Sequence, residues 1–194
     1  MDEGHFFYNG TKIDYAWIVG GIFYLFKFAT MLEDSPNMGT GTVTVKGDQR
    51  VLPVGRILRK TKINELPQLF NILLGQMSLI GPRPLTEQTF RAYSLEVQTE
   101  VVKVRPGLSG IGSIVFRDEE SILDGQNASF DFYSNVVAPY KGQLEVWFVA
   151  NNNIKNYFLL ALSTVIVVMF TNSKIVWKLF PNLPKPLPDL EKLL

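Results

Sequence analysis

Residues Tyr157 to Phe170, "YFLLALSTVIVVMF", form an uncharged apolar run of about fourteen residues between Lys155 and Lys174. A segment of this kind has to leave water. It falls short of the roughly 20 residues that a membrane-spanning helix needs, so a buried or interfacial helix is expected. The polar stretch "ANNNIKN" just ahead of it is suited to capping such a helix. The other residues must then supply a face for the run to pack against. At 194 residues the chain is long enough for one domain with a real core and short for two.

Upstream, His5 to Phe28 is rich in aromatic and β-branched residues and is punctuated by Asn9-Gly10 and Gly20-Gly21, which predicts strands joined by hairpin turns. Met38 to Gly47 reads as a loop or a short exposed strand. Arg50 to Lys60 predicts a short helix that feeds a second one over Asn64 to Leu74. In the second, Asn64 is the expected N-cap, Pro67 sits in the first turn, and Leu66, Leu69, Phe70 and Leu73 make one apolar face before Gly75 ends it. Thr86 to Val104 predicts one polar helix, capped by Thr86 and stopped by Arg105-Pro106-Gly107. "GLSGIGSIVF" is expected to be a loop running into a strand-like piece, and "LFPNLPKPLPDLEKLL" an extended arm with a short amphipathic turn at its end.

The net charge of +1 gives no global field towards nucleic acid. Locally, Lys46, Arg50, Arg56, Arg59, Lys60 and Lys62 are opposed only by Asp48, whereas Asp118, Glu119, Glu120 and Asp124 gather further on. With no cysteine, disulfides, thiolate metal sites and cysteine nucleophiles are all excluded. "MDEGHFFYNG" lacks the order of a cleaved secretory signal, and His5 has no matching metal or triad partner. A hydrophobic fraction of 46 % is ordinary, but aromatics at 12 % and a mean hydropathy of +0.11 lean towards a greasy surface or membrane contact.

The predicted helix start at Asn64 is the place for an anion, because first-turn N–H groups and the helix dipole favour negative charge and Arg59, Lys60 and Lys62 lie just upstream. Glu65 is a plausible ligand for Mg²⁺ accompanying a diphosphate. A well-capped surface helix reads equally from that stretch alone. In "GPRP" the two prolines present Arg83 from a rigid turn, suited to phosphate or to clamping two loops. "RDEE" at Arg117 to Glu120 offers a second carboxylate site or a solvated loop, and Tyr133 and Tyr140 either line a pocket or pack in the core.

The stretch "VGRILRKTKINELPQLFNILLGQMSLIGPRPL", with "FYLFKFATM", "RPGLSGIGS" and "APYKGQLEVWFV" in order around it, closely resembles the bacterial sugar transferase family, the monotopic polyprenyl-phosphate sugar-1-phosphate transferases. The resemblance implies transfer of sugar-1-phosphate from a UDP-sugar to polyprenyl (undecaprenyl) phosphate, with release of UMP and with Mg²⁺ as cofactor. It implies a bacterial enzyme on the cytoplasmic face of the inner membrane, bound to the membrane surface, not to nucleic acid, and able to form a homodimer. An Asp-Glu pair would carry the chemistry, the Asp as nucleophile. That pair falls on Asn64 and Glu65, with Glu65 towards the metal and Lys27, Arg59, Arg83 and Arg105 towards phosphates or substrate.

Departures from the family pattern are Asn64 for Asp, Ala29 for Arg, the lack of the usual N-terminal re-entrant membrane helix, and "DYAWIVGGIF" where a short Gly/Lys hairpin is expected. The resulting expectation is an α+β fold, a mainly helical, membrane-associated single domain with a small β-hairpin region. It spans 1–180, with a hairpin at 5–28, a catalytic-like core at 46–120 and an apolar helix at 154–172, followed by a Pro-rich tail at 181–194. A catalytically silent relative that binds nucleotide sugar or partner subunits is the alternative.

Overall fold

A computed structural model describes residues 6–8, 11–18, 21–39, 44–127, 129–170 and 173–194. His5, the predicted turn at Asn9-Gly10 and the Gly20 half of the one at Gly20-Gly21 lie outside the described residues. The expected strands form: β1 (Phe6–Tyr8), β2 (Thr11–Ile18) and β3 (Gly21–Phe28) make an antiparallel sheet in that order. β3 is an edge strand, and Asn71 covers part of that edge. Its Oδ1 accepts the Phe26 N–H at 3.1 Å, while its Nδ2 donates to the Tyr24 carbonyl at 2.6 Å and to Gln76 Oε1 at 2.8 Å. Fully buried, Asn71 thus fastens the sheet to the helix that carries it.

That helix departs from its sequence reading. Helix α1 (Pro53–Lys60) opens at a proline, later than Arg50, because Val51 bridges to Met31 and Leu52 N–H donates to the Thr30 carbonyl. Arg50 instead clamps a turn, with Nε on Asp48 Oδ1 at 2.9 Å and Nη1 on the Ser35 and Met38 carbonyls. Asn64 is not an N-cap: it lies inside a 3-10 turn, Ile63–Glu65, and α2 (Gln68–Leu73) begins only after Pro67. The Ile63 carbonyl accepts the Leu66 N–H at 3.1 Å and the Leu66 carbonyl the Leu69 N–H at 3.0 Å, tight turns of the 3-10 kind that stand where the first α-helical turn from Asn64 was expected.

Strand β4 (Ser78–Ile80) pairs in parallel with β5 (Gly107–Ser109). The crossing is close because side chains are missing there: a Cβ on Gly107 would stand 2.1 Å from the Gly81 nitrogen. The single helix expected over Thr86 to Val104 is two, α3 (Glu87–Arg91) and α4 (Leu95–Val101). Thr86 caps the first as expected, but Ser94 accepts from Val97 N–H and starts the second, ending the first beforehand. The strand-like piece after "GLSG" is instead the short helix α5 (Ile111–Val115), followed by α6 (Glu119–Ile122).

A helical stretch over 130–150 then crosses the core as α7 (Phe130–Phe132), a π-helical turn at Tyr133–Val137, and α8 (Ala138–Ala150). Asn153 caps α9 (Ile154–Met169), the apolar run, through the Asn156 N–H. Leu160, Ser163 and Val167 face inward at helical spacing, while Phe158, Leu162 and Met169 stay exposed, so the helix is half-buried. Among the described residues no helix is long and apolar enough to cross a membrane. Helices α10 (Ile175–Leu179) and α11 (Pro188–Glu191) follow, and Leu183 and Leu190 of the tail are buried in the same core. The architecture is mostly helical α+β with one small antiparallel and one small parallel sheet.

The core contains charge. Glu145 on α8 is 1 % exposed, and among the described residues no hydrogen bond of good geometry reaches either carboxylate oxygen. Its space exists because residue 112 is glycine, where a Cβ would stand 2.3 Å from Glu145 Oε1. Burial pushes its pKa up to about 7, against the opposing pull of Lys141.

Two predictions follow from these contacts. Asn71→Ala leaves the Phe26 N–H and the Tyr24 carbonyl without their partner and should lower stability by about 3 kcal/mol, read by urea unfolding. Glu145 holds its proton in the folded state when the unfolded state has already lost it. Stability therefore falls as the pH rises from the ordinary carboxylate range through about 7. Glu145→Gln should flatten that slope and be the more stable form at pH 8 by on the order of 3 kcal/mol, measured by unfolding at pH 5 and pH 8.

Candidate active site

The turn before α2 and the loop after β4 meet at one ion pair. Arg83 Nη2 donates to Glu65 Oε1 at 2.8 Å, with the Glu65 side chain 13 % exposed. Burial opposes the charge of Glu65, but Arg83, Lys62 and Lys27 more than offset it, and the carboxyl sits below its ordinary range. Glu65 in turn raises the pKa of Arg83. The carboxylate and the guanidinium are therefore both ionised at neutral pH.

Lys62, at the head of the turn, adopts a left-handed backbone with φ of 60°. Burial, with Arg83 alongside, brings its pKa down to about 8. Behind the pair lies a second charged layer. Lys141 Nζ donates to both Glu119 oxygens, at 2.9 and 3.0 Å, and stands over the rings of Phe116 and Tyr133. Arg59 Nε donates to Glu120 Oε1 at 3.0 Å, and Arg59 also reaches Thr30 Oγ1. The "RDEE" carboxylates Glu119 and Glu120 thus serve as counter-ions, while Asp118 and Glu120 remain solvent-exposed.

Beside Glu65 and Arg83 opens a chamber of about 340 Å³. Lys62, Glu65, Arg83 and Arg117 line its charged part; its apolar lining includes Leu66, Leu79, Leu108, Ile114, Val165 and Val168. Ser109 of β5 and Thr164 of α9 share a hydrogen bond at 2.9 Å in the wall, tying the apolar helix to the parallel sheet.

Of the residues singled out from sequence, the structure brings Glu65 and Arg83 into contact and puts Lys27 within reach of their field. Arg59 stands one layer out, on Glu120. Arg105 is exposed, does not line the chamber, and contributes its backbone carbonyl beside Gly81. Asn64 is 8 % exposed, and its Oδ1 is buried without a hydrogen-bond partner. Tyr133 and Tyr140 are core residues, and Tyr140 Oη donates to the Pro184 carbonyl.

Sequence reasoning missed Lys141 and Glu145. The signal was present as two opposite charges four residues apart inside the apolar "YKGQLEVWF". It also missed the placement of Ser113 and Arg117 at the chamber, which only the fold after "GLSG" brings there.

Among the described residues, no group of three His, Cys, Asp or Glu side chains gathers as a metal cluster. The donor at hand in the chamber is the Glu65 carboxylate, a hard oxygen that fits Mg²⁺ when substrate phosphates and water complete its shell; Asn64 Oδ1 is buried and does not line the chamber.

The profile described as bacterial sugar transferase matches residues 1–171. Among similar proteins, an undecaprenyl-phosphate glucose phosphotransferase of Komagataeibacter xylinus is 40 % identical over 109 residues, which are 50 % of this chain and 20 % of that protein. A UDP-N-acetylgalactosamine-undecaprenyl-phosphate N-acetylgalactosaminephosphotransferase of Aeromonas hydrophila is 41 % identical over 95 residues, 48 % of this chain and 22 % of that protein. The exopolysaccharide production protein ExoY of Rhizobium meliloti is 34 % identical over 134 residues, 62 % of this chain and 58 % of that protein. The matched region is thus less than two thirds of each relative's own length. With the profile running through the strands, the Glu65–Arg83 pair and α9 alike, the chain belongs to the bacterial sugar transferase family.

Proposed function

We propose that this chain transfers sugar-1-phosphate from a UDP-sugar to undecaprenyl phosphate and releases UMP. The observation that carries the reading is the ionised Glu65–Arg83 pair lining an otherwise largely apolar chamber, a place for phosphates joined to a lipid. Relatives are named for sugar phosphate transfer to undecaprenyl phosphate, which supports the same acceptor here.

In the transfer, a phosphate oxygen of the acceptor forms a bond to the phosphorus that carries the sugar. The bond from that phosphorus to the bridging oxygen breaks, and UMP leaves with the electron pair. Arg83 and Lys27 neutralise the diphosphate, and Glu65 holds Arg83 in place. Glu65 would hold Mg²⁺, which when bound would supply further charge neutralisation at the diphosphate. Asn64 has no anionic oxygen to form a covalent phosphosugar intermediate, so direct displacement is the route that these side chains support.

Membrane attachment is part of the proposal, on the cytoplasmic face of the bacterial inner membrane. It rests on two apolar faces flanking the chamber: Leu69, Phe70 and Leu73 on α2, and Phe158, Leu162 and Met169 on α9, all exposed. A second reading, a catalytically silent relative that binds nucleotide sugar, is favoured by the amide at Asn64.

A UMP-release assay with Mg²⁺, a panel of UDP-sugars and undecaprenyl phosphate separates the two. The parent chain should release UMP only when acceptor is present, and Arg83→Ala should lower the rate about 100-fold. Asn64→Asp should add an acceptor-independent burst of UMP. Release from the Asp form alone would make the parent the silent relative. In flotation with anionic vesicles, the double substitution Phe158→Glu and Leu162→Glu should move the protein from the lipid layer to the soluble fraction; unchanged flotation would remove α9 from the attachment surface.

A further inference from the structure

Arg83 forms part of the wall between two spaces. On one side its guanidinium meets Glu65 in the chamber; on the core side a small cavity of about 20 Å³ is lined by Pro82, Arg83, Tyr93, Pro106 and Glu145. Glu65 lines the chamber alone, and Glu145 the inner cavity alone. One arginine thus has a carboxyl on either side of it. The transfer proposed above uses Glu65 and leaves Glu145 without a task.

The main chain of the loop has a place for an acceptor on the core side. Pro82 and Pro84 have no N–H, so Arg83 carries the one main-chain donor between Gly81 and Leu85. The ties at the foot of the loop, from the Gly81 N–H to the Ser109 carbonyl and from the Gly107 N–H to the Pro82 carbonyl, do not hold that donor. Its near acceptor is the Glu145 carboxyl. The Arg83 N–H approaches it closely enough to favour its charged form, without reaching either oxygen in good hydrogen-bond geometry. Lys141, one turn earlier on α8, is engaged by both oxygens of Glu119 and gives Glu145 no hydrogen bond.

Packing gives no reason for a carboxyl at this position. Buried and without a good partner, it costs stability that an apolar side chain of similar volume would restore. Space is nonetheless kept for it at Gly112, where a Cβ would stand 2.3 Å from Oε1 and 3.2 Å from Cδ. A group retained at the expense of stability, directly behind a loop that carries a site cation, has a function there.

We infer that Glu145 is a positioning residue for Arg83: it holds the Arg83 main chain from the core, as Glu65 holds the guanidinium from the chamber, so that the loop presents a fixed cation to a diphosphate. The identity of that anion rests on the proposed transfer; the new element is the side chain that sets the loop from behind. Glu145 acts through Arg83 and lines no part of the chamber. What the loop needs from residue 145 is an acceptor oxygen, which Gln supplies and an apolar side chain does not.

Calorimetric titration of the full chain with inorganic pyrophosphate at pH 8, with a thermal midpoint for each variant, tests this. Glu145→Met should weaken pyrophosphate about tenfold and yet raise the midpoint, because it removes both the acceptor and the buried charge. Glu145→Gln should bind within about twofold of the parent. Gly112→Ala asks the same question without touching residue 145: it displaces the carboxyl and should weaken binding about threefold. In an Arg83→Ala background Glu145→Met should add no further loss, since its effect passes through Arg83. A merely structural role would instead make binding and midpoint fall together.

The assignment is overturned by Met and Ala variants that bind pyrophosphate as the parent does, by a Gln variant as weak as the Met variant, by a further loss in the Arg83→Ala background, or by a parent that does not bind pyrophosphate. Pyrophosphate binding that depends on Glu145 in a protein that releases no UMP from any UDP-sugar upholds the positioning role and removes the transfer reaction. UMP release that Glu145→Met and Gly112→Ala leave at the parent rate upholds the reaction and removes the positioning role.

Discussion

Backbone laid directly on backbone, where Gly107 and Gly110 meet Gly81, is the constraint on which the site depends. The Gly81 N–H donates to the Ser109 carbonyl, and the Gly107 N–H to the Pro82 carbonyl, so the two loops are joined along both edges. A methyl group on either side would force the strands apart. Because they touch, the Arg83 loop on one strand and α5 on the other leave in directions that enclose a chamber, and α9 closes it through Thr164 and Ser109. The prolines of "GPRP" then limit how far Arg83 can swing.

Charge burial is the second organising feature. Glu65, Arg83, Lys141, Glu119 and Glu145 are gathered around the long helical stretch, and their net balance is kept by pairing everywhere except at Glu145. A buried pair contributes little net stability compared with apolar packing but fixes geometry, since any displacement leaves a charge uncompensated. The π-helical turn at Tyr133–Val137 lies in the same stretch, just ahead of Lys141 and Glu145 on α8. Its extra residue per turn alters the phase between α7 and α8.

Much of this was legible in the chain, for reasons that differ by element. The hairpin and the capped apolar helix were readable because alternation, turn residues and Asn153 are local signals. Glu65 and Arg83 were identified through family resemblance, and the fold supplied the contact between them. What the chain concealed was set by competition between local options. A 3-10 turn at Ile63–Glu65 takes the place of a first α-helical turn and moves the helix start past Asn64; Ser94 offers a cap and splits a helix that composition reads as continuous. Ser113 and Arg117 reach the chamber only through a parallel strand pair formed across long sequence separation, which no periodicity announces.

Lys62 carries a last implication. A residue with a Cβ held at a φ of 60° costs stability, of order 1–3 kcal/mol when the surroundings enforce it, and glycine would relieve most of that cost. Glycine would also delete the ammonium from the mouth. At this one position backbone preference and the positive charge beside Glu65 ask for different amino acids, so screening variants for thermal robustness alone would select against a cation that lines the chamber.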